Sequence, residues 1–126
     1  MLGRYATQQY LREMVDKKCD VAIVETTSEG QLQYRNRYIA YDMMVLTNLY
    51  PEHIEAHGGF ENYKQAKLNI FRRAARYGKN KKITGAIPKT FVVNGDVEQA
   101  SEFLAAGEAQ KFVFGKELFK VGNLVP

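Results

Sequence analysis

DMMVLTNLYPEHIEAHGGFENYKQAK, residues 42–67, is the stretch whose reading decides the fold. It opens on a short apolar run that reads as a buried strand ending at Asn48. A turn-rich connection follows, in which Pro51 suits the start of a short helical turn. Residues 60–75 then place Phe60, Tyr63, Ile70, Phe71 and Ala74 at helical spacing. A strand leading through a loop into an amphipathic helix is the beginning of a layered α/β arrangement.

Working outward, residues 4–18 predict a first helix from the recurrence of Tyr5, Gln8, Leu11, Met14 and Val15. CDVAIVE, residues 19–25, predicts a buried strand ending at Glu25, and residues 26–41 read as a polar loop with at most a short extended piece. Beyond the second helix, YGKNKKITGAIPK reads as a basic loop that is long for a compact domain. TFVVN predicts a third strand, residues 97–106 a third helix with Asp96 as N-cap, and KFVFG a fourth strand. The final KELFKVGNLVP suggests one strand more. The order predicts an α/β fold whose mainly parallel sheet is flanked by helices. Ligands of such sheets bind beyond the carboxyl ends of the strands, so the residues that end strands are the ones to weigh.

The 126 residues suit one domain, and 45% hydrophobic with 25% charged content suits a soluble globular chain. The single cysteine, Cys19, excludes an internal disulfide framework and fits a reducing, cytoplasmic setting. No apolar run approaches the ~18 residues that would span a bilayer, so no membrane partner is expected. The net charge of +4 is concentrated in RRAARYGKNKK. Such a run can follow a phosphate backbone, but it is more often a solvated helix end, where basic residues suit the helix dipole. No nucleic-acid partner is expected. The phosphate-cradling G-x-x-x-x-G-K-[ST] pattern and the G-x-G-x-x-G pattern are both absent from the chain.

Several residues have the chemistry of a site, each with a plainer alternative. Glu25, followed by Thr26, Thr27 and Ser28, offers oxygens for Mg²⁺ and hydroxyls for phosphate, or is a solvated strand end. His53 and His57, four apart among Glu52 and Glu55, have the spacing of metal ligands, or cap helices; without an HExxH pattern they do not indicate a zinc peptidase. Lys67 lies in the middle of the apolar stripe. It either snorkels to the edge or is an amine whose surroundings let it react, for instance with carbon dioxide to give a carbamate. Asn94 and Asp96 either bind a ligand or serve the next helix. Arg35, in the polar loop with Gln33, either clamps an anion or is solvated.

VAIVETTSEGQLQYR, VLTNLYPEHIEAHGGFENYKQAK and FVVNGD, in that order, together resemble the central ATP-binding domain of the Mur ligases, most closely the UDP-N-acetylmuramoyl-tripeptide synthetase branch. The resemblance covers residues 5–115, and its middle motif is specific. It implies a P-loop-NTPase-like domain lacking its N-terminal phosphate-loop segment, with ATP and Mg²⁺ as cofactors. It implies Glu25, His53 and Lys67 (as carbamate) as metal and catalytic residues. Thr27, Gln33 and Arg35 then contact the UDP-muramoyl peptide, and Asn48 and Asn94 match motif positions on the cofactor-binding side. The implied reaction is amide formation in peptidoglycan precursor synthesis: ATP phosphorylates a peptide carboxylate and the amine of an amino acid displaces the phosphate.

The sequence departs from the family pattern in places. Thr26-Thr27 replaces Val-Ser, Glu29 stands for a histidine, Glu52 and Glu55 stand for aspartates, and Val97 stands for the second aspartate of the third motif. Residues 72–89 are longer than usual. Because the family's phosphate loop precedes its first helix and a further domain follows, the chain is expected to be an interior piece of a larger ligase, inactive alone. The rival readings are a folylpolyglutamate- or cyanophycin-synthetase-like ligase piece, and a non-catalytic basic α/β binding domain.

Overall fold

The computed structural model describes residues 2–50, 58–78, 81–82 and 85–115. The chain divides into two compact units, Met1–Ile39 and Ala40–Pro126.

In the first unit, helix α1 spans Arg4–Asp16. It ends where Lys18 turns left-handed (φ 57°), the Lys18 N–H donating to Val15 O and the Cys19 N–H to Met14 O. Those two bonds form a Schellman end, here with lysine where glycine is usual. The apolar spacing predicted the helix but not its burial. Tyr5 and Val15 are exposed, and Thr7 is the helix's one buried residue.

The expected strand over residues 19–25 does not form. Residues 21–27 have no regular structure, and Val21 and Ile23 are 74% and 89% exposed. The β-branched run has the right propensity, but a strand also requires a neighbour to take its N–H and C=O groups. The described residues of this unit contain no other strand. The polar loop, in contrast, holds a short helix, α2, over Ser28–Leu32. Thr27 is its N-cap, with Oγ1 accepting the Gly30 N–H at 2.9 Å, and Glu29 favours its first turn.

In the second unit, β1 (Met43–Leu46), β4 (Thr90–Asn94) and β5 (Gln110–Phe114) form a parallel sheet in the order β1–β4–β5. Three of the predicted strands are thus present, with β4 central. Two residue pairs, β2 (Lys81–Lys82) and β3 (Gly85–Ala86), make a small antiparallel ladder inside the expected basic loop. Helix α3, Phe60–Arg76, connects β1 towards β4. Gly58 and Gly59 lead into it with φ of 73° and 131°, conformations closed to most side chains, which accounts for the Gly-Gly pair. Helix α4 is shorter than predicted, Ala100–Leu104, and its N-cap is Gln99 rather than Asp96. Asn94 Oδ1 accepts the Asp96 N–H at 2.9 Å, and the chain passes through turns before the helix begins at Ala100. Residues 116–126, where a further strand was expected, lie outside the described residues.

The core lies between one sheet face and the two helices. Met44 pairs with Phe91 and Leu46 with Val93 in register, and all four are buried. Phe71 of α3 stands 5.1 Å from both Phe91 and Phe103 of α4, edge-on to each ring. Gly107 allows the chain after α4 to approach α3, since a Cβ there would lie 2.5 Å from that of Ala75. Phe103 is fully buried, so Phe103→Ala should cost about 3–5 kcal/mol in urea unfolding followed by circular dichroism. Lys18→Gly should stabilise α1 by about 1 kcal/mol by relieving the left-handed lysine, read as increased amide protection over residues 4–16 in hydrogen exchange.

Candidate functional site

The first unit holds four of the expected site residues. Glu25 is exposed in the irregular stretch before α2, not at the end of a strand. Thr26 Oγ1 donates to Val24 O at 3.2 Å, which curls the backbone just after the carboxylate. Thr27 is the α2 cap. Its oxygen accepts one backbone N–H, leaving a hydroxyl proton and a lone pair for another partner. Gln33 is the C-cap of α2. Arg35 follows within three residues, its N–H donating to Gly30 O at 2.8 Å. The short helix therefore sets the spacing of Thr27, Gln33 and Arg35, a role sequence reading missed because the segment has no apolar periodicity.

The second unit holds the carboxyl end of the sheet. Asn94, the last residue of the central strand, donates from Nδ2 to Thr47 O at 2.9 Å. It joins the end of β4 to the turn leaving β1, next to half-buried Asn48. On the other side the Gly95 N–H donates to Phe114 O at 2.6 Å. A Cβ at Gly115 would lie 2.9 Å from Asp96 Oδ1, so the glycine lets the β5 end lie against that carboxylate. Asn48, Asn94 and Asp96 thus occupy the edge where ligands of open parallel sheets bind, and Asn94 has a definite structural task there.

Three lysines of this unit illustrate how cations are held. Lys67 falls inside the buried arc of α3, as its spacing predicts, and is half-buried. Its Nζ lies 5.2 Å from the centroid of the Tyr63 ring, one turn back along the helix. Lys64 is buried more deeply. Its Nζ is 3.0 Å from Glu61 Oε2 and 3.0 Å from Glu102 Oε2, tying α3 to α4. The hydrogen bonds to Glu61, then Glu102, hold the Lys64 ammonium above its ordinary range. Hydrogen bonds from Gln65 and then Lys64 hold the Glu61 carboxyl below its own. Lys89, also buried, donates from Nζ to the carbonyls of Tyr41 and Tyr77. Glu61, three residues before Lys64, was the readable sign of its pairing; the partners of Lys89 are backbone atoms far away in sequence.

The structure brings Asn48 and Asn94 together, and groups Thr27, Gln33 and Arg35. His53 and His57 lie outside the described residues. Glu25 belongs to the first unit and Lys67 to the second. Among the described residues no group of three His, Cys, Asp or Glu side chains could hold a metal ion. The donor chemistry nevertheless fits Mg²⁺, which takes oxygen ligands. Glu25 provides an exposed carboxylate. The Lys67 ammonium has no lone pair and would fit only after conversion to a carbamate.

Residues 3–121 match the family model of the Mur ligase middle domain, and the chain belongs to that family. Among its relatives, the UDP-N-acetylmuramoyl-L-alanyl-D-glutamate–2,6-diaminopimelate ligase of Chlamydia caviae is 36% identical over 110 residues, 87% of this chain and 20% of that protein. The UDP-N-acetylmuramyl-tripeptide synthetase of Treponema pallidum is 39% identical over 67 residues, 52% of this chain and 12% of the relative. That of Roseiflexus is 33% identical over 105 residues, 79% and 20% respectively. The chain spans about a fifth of the length of the first of these relatives. No helix among the described residues is long and apolar enough to cross a membrane.

The Lys64 bridge has a testable pH signature. Glu61 is held below its ordinary 4.5, so its contribution is complete above that value and fades as the pH falls through the lowered range. Lys64 is held above its ordinary 10.5, so its contribution is complete below that value and fades as the pH rises through the raised range. Lys64→Met should lower the melting temperature at neutral pH, and the gap from the parent chain should narrow at both extremes.

Proposed function

We propose that this chain forms the middle-domain segment of an ATP-dependent ligase that joins an amino acid to a UDP-N-acetylmuramoyl peptide in peptidoglycan precursor synthesis. The observation that carries the reading is the match to the Mur ligase middle domain over residues 3–121, together with relatives named for that ligation. The layout supports it: a parallel sheet with Asn48 and Asn94 at its carboxyl edge, and a short capped helix spacing Thr27, Gln33 and Arg35.

In this reading Arg35 pairs with an anionic group of the muramoyl substrate through its planar fork. The Thr27 hydroxyl donates to the same substrate while its oxygen keeps the α2 cap, and Gln33 adds an amide. Asn48 and Asn94 face the nucleotide side. Glu25, His53 and Lys67 as its carbamate would hold Mg²⁺, which when bound spreads the charge of the transferring phosphoryl group. The protein groups do the positioning, so that the carboxylate, the phosphate and the incoming amine meet in line.

A chimera tests this reading: residues 3–121 replace the matching segment of the Chlamydia caviae ligase. Amide formation from ATP, the muramoyl dipeptide and diaminopimelate, followed by mass spectrometry, should survive the exchange. Lys67→Ala in the chimera should lower the rate roughly 10- to 100-fold, with part regained on adding short carboxylic acids. An active chimera indifferent to Lys67→Ala would remove the lysine from the mechanism.

A further inference from the structure

The turn that follows α2 holds an exposed cation on aromatic rings. The Arg37 Cζ lies 5.1 Å from the centroid of the Tyr34 ring and 5.7 Å from that of Tyr38, both within the range of a cation–π contact. The backbone is tied down as well. The Arg37 N–H donates to Tyr34 O at 3.2 Å, and Arg37 O accepts from Gln8 Nε2 of α1 at 3.5 Å. Aromatic rings steady a guanidinium but accept none of its in-plane hydrogen bonds, so its five N–H donors keep their capacity. Among the described residues no carboxylate pairs with Arg37, whereas Arg12 and Lys17 of the same unit pair with Asp16 and Glu13. Residues 30–41 contain two arginines, three tyrosines and no acidic residue. Both rings come from left-handed residues, Tyr34 at φ 55° and Tyr38 at φ 65°. Glycine would hold either position without a Cβ clash, but it would take the ring away. Strained backbone of this kind is found where a binding site requires it.

We infer that Arg37, positioned by Tyr34 and Tyr38, is the receptor for an oxyanion, a carboxylate or a phosphate group, in addition to the contact read for Arg35. The planar fork of a guanidinium matches either group through two parallel hydrogen bonds. The rings restrict a long side chain before the ligand arrives, which removes part of the ordering cost of binding. The absence of acidic residues from the turn leaves the positive charge of Arg37 to the ligand. Within the muramoyl ligation proposed above, the anion is a second charged group of that substrate. The inference itself stands on the turn and does not require that reading.

The test uses the ¹⁵N-labelled 126-residue chain, with the arginine Nε–Hε signals followed by NMR. Arg37→Gln identifies the signal of Arg37, and exposed Arg4 serves as the internal standard. Inorganic phosphate and succinate are titrated separately, with sodium chloride holding the ionic strength constant. The Arg37 signal should move saturably, and further than that of Arg4. A response to phosphate alone defines a phosphate site, to succinate alone a carboxylate site, and to both a general oxyanion site. Tyr34 and Tyr38 are 53% and 63% exposed, so replacing either removes little packing. Tyr38→Phe keeps the ring and should bind as the parent chain does. Tyr38→Leu should weaken binding roughly two- to fivefold, the size of an exposed cation–π contact. An Arg37 shift no larger than that of Arg4 with both anions overturns the site. Saturable binding of equal strength in Tyr38→Phe and Tyr38→Leu overturns the positioning role of the Tyr38 ring. Neither result depends on ligation by the chimera, which is read independently.

Discussion

The second unit is organised by the meeting of three rings. Phe71 from α3, Phe91 from the central strand and Phe103 from α4 come from three different elements, and each is almost wholly out of water. Edge-on aromatic pairs favour particular angles as well as burial, by about 0.5–1.5 kcal/mol per pair. Their junction therefore fixes where both helices lie on the sheet, in addition to driving collapse. Other features follow from it. Gly107 is a glycine because α3 and the chain after α4 are drawn together there. Lys64 can reach Glu102 because α3 and α4 are held side by side.

The central strand is pinned at both ends by side chains. At its amino end Lys89 gathers two carbonyls, from the approach to β1 and from the exit of α3. At its carboxyl end Asn94 reaches the turn after β1. Both contacts satisfy backbone oxygens outside the strands, Tyr41 and Tyr77 at one end and Thr47 at the other. The Asn94 contact ties the end of β4 to the chain leaving β1, at the carboxyl edge where Asn48 and Asp96 also lie.

The parts of this architecture legible in the sequence are those in which local pattern and burial agree. Met44 and Leu46, Phe91 and Val93, and the stripe through Tyr63, Ile70, Phe71 and Ala74 announce their elements, because the same residues set the periodicity and fill the core. Lys67 was legible as an oddity, although only the structure gives it Tyr63 as a partner. Residues 21–24 misled because β-propensity has force only beside another strand. Helix α2 was invisible because its stability comes from the Thr27 cap and not from an apolar face. Asp96 looked like a cap, but the helix begins four residues later, behind Gln99. Of the candidate site, residue types and order could be read, whereas the tasks of Thr27 and Gln33 could not, since the short helix they cap has no apolar pattern, nor could that of Asn94, whose partner Thr47 O is distant in the chain.

Lys89 carries a consequence beyond architecture. Its ammonium is buried and committed to two carbonyls, so amine-directed reagents that modify surface lysines would reach it only when the amino edge of the sheet opens. A lysine of this kind is a built-in reporter: the rate at which it is labelled, set against that of its exposed neighbour Lys111, follows the breathing of the sheet without any foreign probe.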